Sequence, residues 1–328
     1  MNKNRPRAMG HVLAWASVGI GIGMVSVSPG MAQSFPQKPV RIVVPFSAGG
    51  ASDIIARTLA AELTEIFGQN VFVDNRGGAG TVLGTEIVAR APPDGHTLLV
   101  NTPSYTINGG VRKLPYDSIS DFAAVGLIAV TPLMLITHPS LPVRSVKDLI
   151  ALAKSQPGQL IYASSGQGSP THMGMELLRF SGVRMTHVPY KGAAPALTDL
   201  VGGHVQLMQT SVIVAKPHTS TGRLRAIAMT TSKRSVALPD VPTIAETIPG
   251  YEVLNWWGLM VPAKTPGGVI ERLNAEVAKV MSRNSNRERF SAEGVEAAPG
   301  SSAEFSAMLR AEIAKWGKVG REISLKLD

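Results

Sequence analysis

Residues 42–57 read IVVPFSAGGASDIIAR, and this stretch restricts the fold more than any other. Ile42, Val43 and Val44 make a short β-branched run, Pro45 and Phe46 end it, and Ser47, Ala48, Gly49 and Gly50 form a small-residue turn. From Ser52 onward, Ile55, Leu59, Leu63 and Ile66 or Phe67 recur at helical spacing. The pattern is strand, loop, helix. Such a loop lets the first, unpaired N–H groups of the helix point at a ligand, and the helix dipole favours an anion there. Taken alone, the stretch is equally a plain connection in an α/β domain.

The device recurs. Residues 160–163 read as a strand, and Ser164, Ser165, Gly166, Gln167, Gly168 and Ser169 form a second small-residue loop. Pro170 opens the next helix, with Met173, Leu177 and Phe180 on one face. Ser169 before Pro170 is a strong start signal: a side-chain cap, then a residue whose missing N–H costs nothing at that position. Two such loops, one per α/β unit, can face each other across a cleft.

The remaining pattern predicts two units. Strands at 40–44, 71–74 and 97–101 alternate with helices from Ser52 and over 81–90, an order that makes a parallel sheet covered on both faces. After a polar connection at 116–122, the apolar run 125–137, interrupted by Pro132, suits a strand leaving one domain for another. The second unit has helices over 146–155, from Pro170 and over 193–201, with strands at 160–163, 205–208 and 224–230. Residues 254–261 (LNWWGLMV) read as the return crossing, and amphipathic helices over 269–282 and 303–325 close the first domain. The predicted division is a first lobe of residues 33–130 plus 258–328 and a second of residues 131–257.

The first 32 residues stand apart. Lys3, Arg5 and Arg7 precede a mostly apolar, small-residue run that ends in Gly30-Met31-Ala32. This is the layout of a secretory signal peptide, cut after Ala32; the run is short and glycine-diluted for a membrane span. No later run reaches membrane length, so the expected product is a soluble periplasmic protein. The 328-residue chain contains no cysteine, which excludes disulfides, thiolate metal sites, a cysteine nucleophile and a lipid-anchored export signal. Removing the three N-terminal cations from the formal charge of +9 leaves +6. Lys and Arg are scattered, without the basic stripe or stacking aromatics of a nucleic-acid binder, and a basic balance suits an acidic small ligand through long-range steering.

Catalytic signatures are few. There is no G-x-S-x-G elbow, H-E-x-x-H or C-x-x-C. His96, His138, His172, His187, His204 and His218 show no close metal-ligand spacing, so no metal and no cofactor are expected; His172, in the first turn after the second loop, is placed to reach a ligand. Gly78-Ala79-Gly80 starts a dinucleotide fingerprint, but its third position is Leu83 and no acidic strand end follows. Residues 77–80 therefore read as a tight turn with close helix–sheet packing. Asp53 in the first turn complements the helix dipole, or takes an ammonium group of a ligand. Trp256 and Trp257 read as interdomain packing, with one of them able to line a pocket wall.

The motifs VPFSAGGASD (44–53), NRGGAGTVLGTE (75–86), YASSGQGSPTHM (162–173), VPYKGAAPALTDLVGGHV (188–205), LPDVPTIAE (238–246) and WWGLMVPAKTP (256–266) occur in an order that resembles the Bug-type, or TctC-like, solute receptors of tripartite tricarboxylate transporters. The resemblance spans essentially the whole mature chain. It implies an α/β, two-lobed type 2 periplasmic-binding-protein fold with two interdomain crossings. It also implies a monomeric receptor, not an enzyme, that closes on a small carboxylate (a carboxylic acid or an amino acid) and delivers it to TctA/TctB-like membrane subunits. Carried over by position, the carboxylate lies between Phe46, Ser47, Ala48, Gly49 and Gly50 on one side and Ser164, Ser165, Gly166, Gly168 and Ser169 on the other, with Thr171 and His172 as further candidates; Asp53 beside them would repel a carboxylate and is a candidate for a ligand's ammonium group. Asn101, Thr102 and Ser104, at another strand end, are candidates for the pocket floor. Gln206 stands where the family commonly has Asp, a change that alters either the distal part of the pocket or a surface contact. Alternatives from the residues alone are a secreted α/β hydrolase using Ser47, Ser164 or Ser165, the effector domain of a transcription regulator, and a receptor feeding a sensor kinase.

Overall fold

The computed structural model describes residue 1 and residues 35–179, 181–235 and 238–322. The signal-peptide reading, the cut after Ala32, Phe180 and the last residues of the C-terminal helix lie outside the described residues. The first part of the chain runs β1 (Val40–Val44), α1 (Ala51–Phe67), β2 (Val71–Asn75), α2 (Val82–Ala89), β3 (Thr97–Asn101) and α3 (Pro103–Val111). β4 (Phe122–Thr137) leads into α4 (Val146–Ser155), β5 (Ile161–Ser164), α5 (Pro170–Arg179), β6 (Thr186–Pro189), α6 (Ala193–Val201), β7 (Leu207–Ser211), α7 (Val212–Thr219) and β8 (Arg225–Met229). β9 (Leu254–Pro262), α8 (Gly267–Ser282), α9 (Asn284–Ala292), β10 (Glu296–Ala297) and α10 (Ser302–Glu322) follow.

The strand order is β2-β1-β3-β9-β4-β7-β5-β6, with β8 and β10 also pairing to β4. β1 pairs in parallel with β2 and β3, as expected from alternating strands and helices. β5 pairs in parallel with β6 and β7. The long strand β4 joins the two parallel sets. Its residues up to Pro132 pair antiparallel with β9, and from Leu133 onward it pairs with β7 and β8. The sheet therefore changes partners at Pro132, whose missing N–H removes one ladder bond there.

β9 returns on the other side of that switch, its ladder resuming with Leu254 opposite Pro132. Thr230 ties the two crossings together. Its N–H donates to the Leu133 carbonyl (2.9 Å), its hydroxyl accepts from the Leu133 N–H (2.8 Å), and its carbonyl accepts from Val253 (3.0 Å). Buried aliphatic residues of β1, α1, β4, α8 and β9, with Trp257 and Phe290, form the main core. A separate cluster of Leu135, Leu149, Tyr162, Met175, Leu207 and Ile227 fills the second lobe.

α1 forms as its sequence predicts. Gly50 caps its start in extended conformation and Gly68 ends it in the left-handed region, donating to the Thr64 carbonyl. α3 and α7 were not legible in the sequence. α3 carries Gly109 and Gly110, which read as breakers. In the fold they let it approach α10, where a Cβ on Gly110 would come within 2.6 Å of the Gly317 nitrogen.

Candidate functional site

The connections that follow strand ends in both lobes meet at a narrow cleft. Phe46, Gly50, Ala51 and Ser52 line it from β1–α1, Thr102 from the end of β3, and Asn255 and Trp257 from β9. Ser165, Pro170 and Thr171 come from β5–α5, Ala193 from the start of α6, and Leu133, Thr210 and Ser211 from β4 and β7. Helices α1, α3, α5, α6 and α7 thus direct their N-termini at one space. Gly50, Gly192 and Ser211, at the starts of α1, α6 and α7, supply no side-chain cap. The first N–H groups of those helices are then left for whatever enters the cleft. No Lys, Arg, His, Asp or Glu lines it among the described residues. Its positive potential therefore comes from backbone dipoles.

The two loops singled out in the sequence are brought together, but unevenly. Phe46, Gly50, Thr102, Ser165 and Thr171 line the cleft. Ser169 caps the start of α5: its hydroxyl oxygen accepts from the His172 N–H at 3.2 Å. Thr171 is the hub of that loop. Its hydroxyl accepts from the Ser165 N–H and lies 2.9 Å from the hydroxyls of both Ser165 and Ser169. Thr171→Val keeps the shape but leaves the Ser165 N–H without that acceptor. It is expected to cost about 1–3 kcal/mol in urea denaturation and to weaken ligand binding; unchanged stability would show that the hub is dispensable.

Other expected residues lie beside the cleft. Ala48 and Gly49 are exposed. Asp53 is buried, but its carboxylate turns to its own loop, accepting from the Gly49 N–H and from Arg57 Nε, each at 2.9 Å. Burial opposes its charge, yet Arg57, the Gly49 N–H and Asn75 together hold its pKa below the ordinary value. Asn101 is fully buried and donates to Thr85 while accepting from the Thr102 N–H; Ser104 bonds Thr102. Gln206 sits in the ladder of the second lobe, its Oε1 accepting from the Ile161 N–H at 2.6 Å.

Ser164 is fully buried and shares a 2.7 Å hydrogen bond with His187 Nε2. A seryl oxygen closed off from the cleft cannot meet a substrate, which removes the serine-hydrolase use of this residue. His187, Tyr162 and His172 form a cluster of near-parallel rings, with His187 4.8 Å from Tyr162 and 4.2 Å from His172 and those two 6.5 Å apart. His172 lies behind the second loop, its Nδ1 accepting from the Gly168 N–H. Burial, then the neighbouring His172, push the His187 pKa down to about 3. Burial also lowers that of His172, against the pull of Glu176. Both are neutral in the fold but protonate readily when unfolded, so their contribution is complete above about pH 6.5 and is lost as pH falls toward 3. Thermal stability should fall from pH 7 to pH 4, and His187→Gln should flatten that slope; an equal slope in the variant would contradict the assignment.

Residues 77–80 form the tight turn expected, but their close packing is to the other lobe. A Cβ on Gly80 would lie 2.4 Å from the Gln167 carbonyl oxygen, and one on Gly77 2.8 Å from that of Lys191. Nearby, the Ser47 N–H donates to the Lys191 carbonyl at 2.8 Å and Arg112 bonds the Gln167 side chain at 3.2 Å. Ser47 and Gly166 belong to this seam rather than to the cleft wall, and Gly168 turns its N–H to His172. Asn108 and Arg112 of α3 hold the 77–80 turn from behind through the carbonyls of Gly80 and Ala79.

Ser52, Thr210, Ser211 and Asn255 line the cleft and were left unassigned by the sequence, and of the two tryptophans read as interdomain packing or pocket wall it is Trp257 that lines it. Trp257 is fully buried and its Nε1–H donates to Ser52 Oγ at 3.0 Å, across 205 residues of chain. Trp256, pointing to the opposite face, packs edge-on against Phe305. The quoted KGAAP segment contained Ala193, but nothing in QTSVIVA announced a third helix start at Ser211.

Comparison with known proteins agrees with this architecture. Residues 55–325 match the family described as tripartite tricarboxylate transporter family receptor, TctC. The structure of R. palustris Rpa4515 with adipate is 38% identical, with a TM-score of 0.84 over 88% of this chain and 97% of that one. The periplasmic binding protein BugD is 31% identical, with a TM-score of 0.85 over 89% and 99%. MatC (Rpa3494) from Rhodopseudomonas palustris with bound malate is 32% identical, with a TM-score of 0.83 over 87% and 99%. The two-lobed α/β fold expected from the sequence is the fold of these receptors, which are binding proteins rather than enzymes. The chain belongs to the TctC family of tripartite tricarboxylate transporter receptors.

Proposed function

We propose that this chain is a periplasmic receptor that captures a small carboxylate between its lobes and delivers it to the membrane subunits of a tripartite tricarboxylate transporter. The observation that carries the reading is the convergence of helix N-termini from both lobes on a cleft without charged side chains. Pre-aimed N–H groups can hold a carboxylate without burying a protein cation, and ordered water can bridge the rest. The adipate and malate of the two R. palustris structures fit that chemistry.

The lobes, residues 33–130 with 258–328 and residues 131–257, close about the strand crossings at Pro132–Leu133 and Val253–Leu254, and the closed form is what the transporter recognises. The receptor works as a monomer. Export follows from the signal-peptide layout of residues 1–32, and the mature protein begins at Gln33; mass measurement of the secreted protein tests the cut.

The deciding experiment is the melting temperature of the mature protein, unfolded and refolded to strip bound ligand, against a panel that includes adipate, malate and succinate. A ligand at 100 times its dissociation constant adds about 2.7 kcal/mol. A shift with one acid and none with its ester or amide is expected. No shift across the panel would refute the carboxylate reading. Co-purification with TctA/TctB-like membrane subunits in the presence of that acid tests the transport partner.

A further inference from the structure

One buried methionine of the second lobe is covered by the first. In the sequence, Met173 shares a helical face with Leu177, and that face should belong to the core of its own lobe. Met175, Leu177 and Leu178 do pack in that core. Met173 does not. It is 2% exposed and packs instead with Ile107 and Val111 of α3 and with Trp316 of α10.

The socket that receives it is assembled within the first lobe. Glu312 of α10 accepts from the Thr106 hydroxyl at 2.7 Å and from the Trp256 indole N–H at 3.2 Å, tying α10 to α3 and β9. Gly320 brings the two helices together, since a Cβ there would lie 2.5 Å from a Val111 methyl carbon. Lys315 extends over the Trp316 ring, 5.5 Å from its centroid. None of these contacts involves the second lobe, so the socket stays whole when the lobes part, and only Met173 leaves it.

Met173 lies in the first turn of α5, two residues beyond Thr171, which lines the cleft and organises the second loop. Seating Met173 fixes that turn against α3. One residue past Val111, Arg112 bonds the Gln167 side chain at 3.2 Å, so a polar contact flanks the apolar one. Withdrawing a methionine side chain from water changes an equilibrium about tenfold or more. Its flexible thioether also tolerates a surface that repeatedly forms and separates.

We propose that Met173 is an interlobe latch: it enters the socket between α3 and α10 as the lobes close, touches no solute, and holds the second loop at the cleft. It is a positioning residue that sets affinity. This role rests on the reading of a two-lobed receptor given above and holds for any solute that draws the lobes together.

The refolded, ligand-free mature protein is treated with dilute hydrogen peroxide, and sulfoxide formation is located by fragment mass spectrometry. Met173 should oxidise at least about tenfold faster than Met175, which is buried in the lobe core two positions on. Equal protection of the two would place Met173 in a permanent core and overturn the latch. In urea, ligand-free Met173→Ala should lose less stability than Leu178→Ala, whose side chain belongs to that core; an equal loss means ordinary core packing and also overturns it. Adipate, malate and succinate are then titrated calorimetrically into the unmodified protein, Met173→Ala and Met173→Leu. Each acid that binds should bind Met173→Ala about tenfold or more weakly, and Met173→Leu, which keeps the apolar volume, should recover most of that loss. An acid bound as tightly by Met173→Ala as by the unmodified protein overturns the latch and leaves the carboxylate reading intact. If none of the three acids binds, the carboxylate reading fails, and the peroxide contrast alone decides the latch.

Discussion

Gly80→Ala is expected to lower the affinity for the best-binding acid by about 100-fold or more, some 2.7 kcal/mol, with a smaller loss of stability in the ligand-free fold. The new Cβ would stand 2.4 Å from the Gln167 carbonyl oxygen of the opposite lobe, far inside van der Waals contact. The turn cannot easily retreat, because Asn108 and Arg112 hold it from behind. The lobes must instead part by about an ångström at the seam. The 2.8 Å Ser47–Lys191 backbone bond and the Arg112–Gln167 contact then lengthen, and water enters the cleft. Gly80 has φ +62°, so alanine also brings left-handed strain of about 1–2 kcal/mol. Gly80→Asn separates the two effects, since asparagine tolerates that conformation but carries the same Cβ. Both variants should lose binding, and Asn should retain more stability. Near-normal affinity in either one would show that the seam does not have to close for binding.

Trp257→Ala should be the most destabilising single change in the cleft, by about 3–5 kcal/mol in chemical denaturation. The indole is fully buried at the junction of the main core and the cleft wall, on the strand that returns from the second lobe. Its loss leaves a cavity there and frees Ser52, whose hydroxyl the indole N–H holds at the first turn of α1. Binding should fall with stability. Trp257→Phe retains most of the apolar volume and loses mainly the N–H, for which about 1 kcal/mol is expected. A Phe variant as unstable as the Ala variant would mean that the hydrogen bond, not the packing, holds this junction. An Ala variant within about 1 kcal/mol of the unmodified protein would show that the site collapses around the gap.

Several parts of the molecule could be read directly because their signals are local. The β-branched run before Pro45, the helical spacing from Ile55 to Leu63, and the Ser169-Pro170 start each depend on residues a few positions apart, and each forms where expected. The apolar run with Pro132 inside it correctly marked a strand that changes partners. α3 and α7 escaped notice for the opposite reason. The paired glycines of α3 and Pro217 in α7 oppose helix in isolation, and tertiary packing outweighs that preference.

The α/β alternation, the repeated small-residue loop before a helix and the absence of any thiol chemistry follow from residue type and short-range spacing alone, and the resemblance of the ordered motifs pointed to the family. Which polar groups face the cleft depends on long-range packing. Asp53, Ser164 and Gln206 have suitable chemistry but spend it on Arg57, His187 and the Ile161 N–H. Thr210, Ser211 and Asn255 lie in no motif, Ser52 was passed over inside one, and all four belong to the wall. A side chain's direction is set by partners far along the chain, as Trp257 sets that of Ser52, and such pairings arise only when the lobes have packed.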